Sequence, residues 1–216
     1  MGTKVICIEG LDGSGKTTLI NTLDSALCEQ ESNVKIISPF DICPYGRSFK
    51  SDILNTKDHF LELTGMAHML GRFQLELIKL IKENKYDVII LDRYLPSFFT
   101  YQVYGKENNI DLSTILLDRL LKNNFKVHKH YLVEASKEST INRLSGKRLE
   151  DDGDARSLTI YDQLINGYKT FYKKYNIDVT TLPSDKQEDI SKNVSRIMAE
   201  LFQWRSKSAL VTNTIC

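Results

Sequence analysis

Residues 10–17 read GLDGSGKT, a complete G-x-x-x-x-G-K-[ST] phosphate loop, and Thr18 follows directly. Glycines at Gly10, Gly13 and Gly15, with only the short Ser14 between the last two, let backbone N–H groups converge on phosphate oxygens without Cβ obstruction. Lys16 is spaced to reach the β- and γ-phosphates, and the Thr17 hydroxyl to ligate Mg²⁺. A helix opening near Lys16 turns its positive end toward the same anion. The chemistry implied is the binding of a nucleoside triphosphate with Mg²⁺. Asp12 is a second clue, because a carboxylate inside a phosphate loop is unfavourable unless it serves another group, such as a sugar hydroxyl or a metal-bound water; the alternative is a turn-former. Asp92-Arg93-Tyr94 is the third: Asp92 suits Mg²⁺ or its waters, and Arg93 suits a phosphate on a second substrate, against a plain ion pair at a strand end.

These groups need elements that bring them to one place. Residues 4–9 (KVICIE) read as a buried strand, and 17–30 as the helix that follows. Further strands are expected at 34–38, 86–91, 130–133 and 178–182. Helices are expected at 57–83, 112–122, 137–144, 158–174 and 188–204, the first with Leu70, Phe73, Leu77, Ile78 and Ile81 at helical spacing. Strands separated by helices mean βαβ crossovers, and therefore an α/β fold: three αβα layers around a central five-stranded parallel sheet. In such sheets, ligands gather outside the carboxyl ends of the strands, which brings Asp92 and Arg93 to the phosphate loop. One polar island, residues 145–157 (SGKRLEDDGDARS), is too charged for core and reads either as a solvated loop or as a mobile lid that closes over bound phosphates.

With 216 residues, 41% hydrophobic and 26% charged, the chain has the size and composition of one globular domain. A domain of this length buries about 70% of its unfolded surface and needs neither disulfide nor metal to hold its core. Its 29 Lys and Arg against 28 Asp and Glu leave a formal charge of +1, which gives no pull toward nucleic acid or an anionic membrane. Collagen-like and disordered classes are excluded by the same numbers. Cys7, Cys28, Cys43 and Cys216 show no metal-finger spacing, and Cys7 reads as a buried thiol. No signal peptide or 18-residue apolar run is present, so a cytoplasmic protein is expected. A domain spanning 1–206 with its lid at about 145–157, and a tail at 207–216, completes the expected organisation.

GLDGSGKTT with its acidic third position, NKYDVIILDRYLPSFFTYQVYG and RLEDDGDARSLTIYDQLINGY together resemble the thymidylate kinases of the bacterial type, within the nucleoside-monophosphate kinases. The similarity runs over residues 4–172. It implies transfer of the γ-phosphoryl of ATP to dTMP, and roles residue by residue. Arg72 falls where the family places the arginine that bonds the pyrimidine, and Gln102 where an amide reads the base edge, with Ser97 nearby. Tyr101 matches the aromatic packed on the deoxyribose, Asp12 would hold the 3′-hydroxyl, and Arg93 the monophosphate. Arg148 matches the lid arginine that approaches the transferring phosphoryl, with Arg143 and Lys147 in support. The family forms homodimers through helices flanking the third strand. Three departures lie around the acceptor: His68 replaces a customary Phe, the segment SPFDICPYG lacks the bacterial T-R-E-P-G-G, and Lys50 stands where a phosphate-binding arginine is usual, with Arg47 close by.

Other readings are compatible with these residues. A kinase for another or a modified deoxypyrimidine monophosphate is compatible with the departures. A deoxynucleoside kinase would want a Glu-Arg-Ser motif, which is absent. A non-catalytic switch signalling through bound ATP or GTP is a distant alternative.

Overall fold

The run KVICIEG is rich in β-branched residues and forms the innermost strand, β1 (Lys4–Gly10). In the computed structural model, residues 2–41, 56, 58–105, 110–122, 127–145 and 158–212 are described, with side chains up to 203 and not at 59 and 110. Strand β1 leads through the phosphate loop into α1 (Lys16–Glu29) and then β2 (Val34–Ile37). There follow α2 (His59–Glu83), β3 (Val88–Asp92), a short α3 (Leu95–Phe99) continued by a π-helical turn (Thr100–Gly105), and α4 (Ile110–Lys122). The chain ends with β4 (Lys129–Glu134), α5 (Lys137–Ser145), α6 (Tyr161–Lys174), β5 (Val179–Pro183) and α7 (Gln187–Thr212).

The five strands form one sheet in the order β2-β3-β1-β4-β5. Every pairing is parallel. Alternation along β1 divides the core: Val5 and Cys7 face one layer with α2, α3 and α6, whereas Ile6 and Ile8 face the other with α1 and α7. On α1, Leu19, Ile20, Leu23 and Leu27 recur at helical spacing and are buried. Helix α2 starts where Asp58 caps it, its carboxylate accepting the N–H groups of Phe60 at 2.9 Å and Leu61 at 3.1 Å. On α6, Tyr161, Leu164, Tyr168, Phe171 and Tyr172 make one buried stripe.

Two elements differ from the sequence expectation. Residues 95–105 carry no expected element, yet Pro96 in the first turn starts α3, and the chain then widens into the π-turn that carries Tyr101 and Gln102. Close packing on α6 makes this possible, since a Cβ on Gly167 would lie 3.0 Å from Thr100 Cγ2. Helix α7 continues to Thr212 instead of stopping at 204, because no Gly or Pro interrupts residues 203–212. Among the described residues, no helix is long and apolar enough to cross a membrane.

Candidate active site

The phosphate loop sits at the carboxyl end of β1, in the middle of the sheet. Gly13 (φ +77°) and Gly15 (φ +90°) are in the left-handed region, and a Cβ on Gly15 would lie 2.6 Å from Ser184 Oγ. Strand β3 runs beside β1 with Ile8 opposite Asp92, so Asp92 and Arg93 emerge next to the loop. Lys16 Nζ stands 3.2 Å from Asp92 Oδ1, and Lys16 is only 7% exposed. Burial and the neighbouring Arg93 push the Lys16 ammonium below the usual lysine range, against the opposing pull of Asp92 and Asp12.

Arg93 has φ +70°, a conformation costing a non-glycine residue on the order of 1–3 kcal/mol and retained only where the surroundings over-determine it. The surroundings do so here. Its N–H donates to Ile8 O at 3.1 Å, and Nη2 meets Asp12 Oδ1 at 2.6 Å. Nη1 donates to Ser97 Oγ at 3.2 Å and to Tyr168 Oη at 3.4 Å, and the guanidinium lies 5.4 Å from the Tyr101 ring centre. Burial opposes the charge, but Asp12 and the nearby oxygens outweigh it, so the guanidinium is held firmly protonated. Tyr101 Oη donates to Asp12 Oδ2 at 3.3 Å, and burial raises its phenol, so it stays a donor.

Among the sequence-selected residues, Asp12, Lys16, Asp92, Arg93, Ser97 and Tyr101 therefore share one cluster. Thr17 and Thr18 lie in the first turn of α1 and are exposed. Ser14 is buried in the loop. Gln102 is fully buried and its Nε2 donates to Glu62 Oε1 at 3.1 Å. Arg72 and His68 are exposed on α2. Arg143 binds backbone instead of solvent: Nη1 donates to Gly13 O at 3.2 Å, and Nη2 to Ser184 O at 2.5 Å and Asp185 O at 3.1 Å, tying α5 to the loop. Arg47, Lys50, Lys147, Arg148 and the lid residues 146–157 lie outside the described residues.

Sequence reasoning missed three members. Glu9, Glu62 and the Tyr168 hydroxyl enter the cluster or its edge only through the fold. Glu9 had a signal: it is the single acid in the strand and follows the apolar run 5–8 immediately before the loop.

A sequence model of the family described as thymidylate kinase matches residues 8–197. The chain belongs to the thymidylate kinase family. It is an enzyme, a nucleoside-monophosphate kinase that phosphorylates dTMP to dTDP with ATP. The match runs past residue 172, where the motif resemblance ends, into the first part of α7. The thymidylate kinase of Buchnera aphidicola subsp. Baizongia pistaciae is 29% identical over 176 residues, covering 79% of this chain and 82% of that protein. That of Thermoanaerobacter sp. strain X514 is 27% identical over 180 residues, covering 81% and 86%. The crystal structure of the thymidylate kinase from Ehrlichia chaffeensis superposes with a TM-score of 0.67 at 20% identity, over 92% of this chain and 99% of that one, which establishes the shared fold.

Proposed function

We propose that this thymidylate kinase works by charge neutralisation between two fixed cation–carboxylate pairs, without a general base. The observation that carries the reading is the adjacency of Lys16–Asp92 and Arg93–Asp12 at the neighbouring carboxyl ends of β1 and β3. Lys16 and the backbone of Gly10–Thr18 hold the ATP phosphates. Arg93 receives the phosphate of dTMP. The attacking oxygen of dTMP is already ionised, so positioning and electrostatics supply the catalysis. Asp12 holds the 3′-hydroxyl, and Tyr101 packs on the deoxyribose where a 2′-hydroxyl would fall. Gln102, Arg72 and His68 line the base end, with Ser97 nearby but its hydroxyl engaged with Glu9, Arg93 and Tyr168, and Lys50 toward the acceptor phosphate. Arg148 comes from a lid at about residues 145–157 to the transferring phosphoryl, and Arg143 supports the ATP side by bracing the loop.

The donor set fits Mg²⁺. The Thr17 hydroxyl and the Asp92 carboxylate are hard oxygens beside a phosphate cradle, and Mg²⁺ characteristically takes one or two protein oxygens and completes its shell with phosphate and water. Bound there, the ion would neutralise β- and γ-phosphate charge. The protein is read as a cytoplasmic homodimer.

His68 favours one second reading, an acceptor with a modified pyrimidine, because an imidazole replaces a ring that only stacks. Purified protein incubated with ATP, Mg²⁺ and a panel of pyrimidine nucleosides, deoxymonophosphates and 5-substituted dUMP analogues tests both. The expected result is dTDP formation with the highest kcat/KM for dTMP. A higher kcat/KM for a 5-substituted analogue establishes the second reading, and phosphorylation of nucleosides alone removes the first.

A further inference from the structure

Glu9 is the next residue on the β1 face that carries Val5 and Cys7, and it is 0% exposed. A carboxylate on an apolar face is costly unless its oxygens are used. Both are. Oε1 accepts the Tyr94 N–H at 2.7 Å and the Cys7 thiol at 3.5 Å, and Oε2 accepts the Ser97 hydroxyl at 2.5 Å. Tyr94 follows Arg93 directly, and Ser97 lies in the first turn of α3, so one side chain grips the turn carrying Arg93 at two points.

The direction of these bonds matters as much as their number. Ser97 has one proton, and it goes to Glu9. Its oxygen is left to accept, which it does from Arg93 Nη1 at 3.2 Å and from Tyr168 Oη at 2.8 Å. Tyr168 Oη lies in turn 3.4 Å from Gly10 O. A hydrogen-bonded chain therefore runs from the arginine through serine to the carboxylate at the root of the phosphate loop.

We propose that Glu9 is a positioning residue for Arg93: its carboxylate holds the 93–97 turn in its left-handed start and sets Ser97 as an acceptor, so that the guanidinium is pre-aimed at the acceptor phosphate. The proposal rests on the assignment of Arg93 to the dTMP phosphate. Glu9→Gln offers one acceptor oxygen where two donors converge, and its amide group meets a donor at the other.

The test is steady-state kinetics of the full chain as Glu9→Gln, Arg93→Lys and the double variant, with thermal unfolding as a fold check. Glu9→Gln is expected to lower kcat/KM for dTMP about tenfold or more while KM for ATP moves less than about twofold. In the Arg93→Lys background the same change is expected to add less than about twofold, because the group it positions is already altered. Full additivity, or equal losses toward ATP and dTMP, overturns the proposal. An unchanged KM for dTMP in Arg93→Lys overturns the assignment of Arg93 itself, and the proposal with it. If Glu9→Gln fails to fold, Ser97→Ala cuts the same chain one step later, and it must show the dTMP-selective, non-additive loss; its absence overturns the proposal.

Discussion

At the residue scale the site is balanced. Lys16 is paired with Asp92 and Arg93 with Asp12, so the described core of the cluster carries little net charge before substrates arrive. The transferring phosphoryl spreads negative charge over its oxygens, and stabilising it needs cations beyond those already neutralised. Arg143 is committed to the carbonyls of Gly13, Ser184 and Asp185. Under the proposal above, that cation is Arg148, the residue the family resemblance implies. Arg148→Ala is expected to reduce kcat by about 10³ or more, with both KM values changed far less. Near-normal turnover measured at saturating dTMP and ATP would remove Arg148 from the mechanism.

At the element scale, the contact of β4 with α6 sets a pH response. His130 is buried on β4, its ring 5.6 Å from that of Tyr172 on α6 and nearly perpendicular to it. Burial pulls the imidazole down to about 4, with Lys129 adding to the effect and Asp178 opposing it. The sign follows from the folded value lying below the unfolded one of 6.5. The fold prefers neutral His130, so its contribution is complete above pH 6.5 and is lost as pH falls toward 4. The loss amounts to about 3 kcal/mol over that window. Urea midpoints at pH 7, 5.5 and 4 check it: His130→Leu should fall less steeply than the native chain, and parallel curves would refute the assignment.

At the scale of the whole molecule, apolar surface remains uncovered on α2 and α4. Phe60 (65% exposed), Leu61 (59%) and Leu75 (63%) lie on α2, and Ile115 (59%) on α4. The two helices touch each other, and the homodimer proposed above would bury these exposed apolar groups. The homodimer proposal predicts a solution mass of twice the 24.8 kDa chain at micromolar concentration, and Leu75→Glu should shift it toward one. Light scattering giving a monomer for the native chain would count against the dimer.

The sequence alone determined the layered architecture and the place of the phosphate loop between β1 and α1. A continuous apolar strand, a contiguous phosphate loop and a helix are local signals, legible because the residues that act together are also neighbours in the chain. Asp92 and Arg93 were legible for a related reason: the carboxyl ends of parallel strands lie on one side of a sheet, so position at a strand end is enough. Only the tertiary structure decided the polar support. Glu9 reaches residues more than eighty positions away at Tyr94 and Ser97, and Tyr168 arrives from α6, further still. Their partnership depends on strand register and helix packing, which side-chain type does not encode. The π-turn bearing Tyr101 and Gln102 is likewise fixed by close approach to Gly167, since propensity along residues 95–105 is ambiguous and packing against α6 breaks the tie.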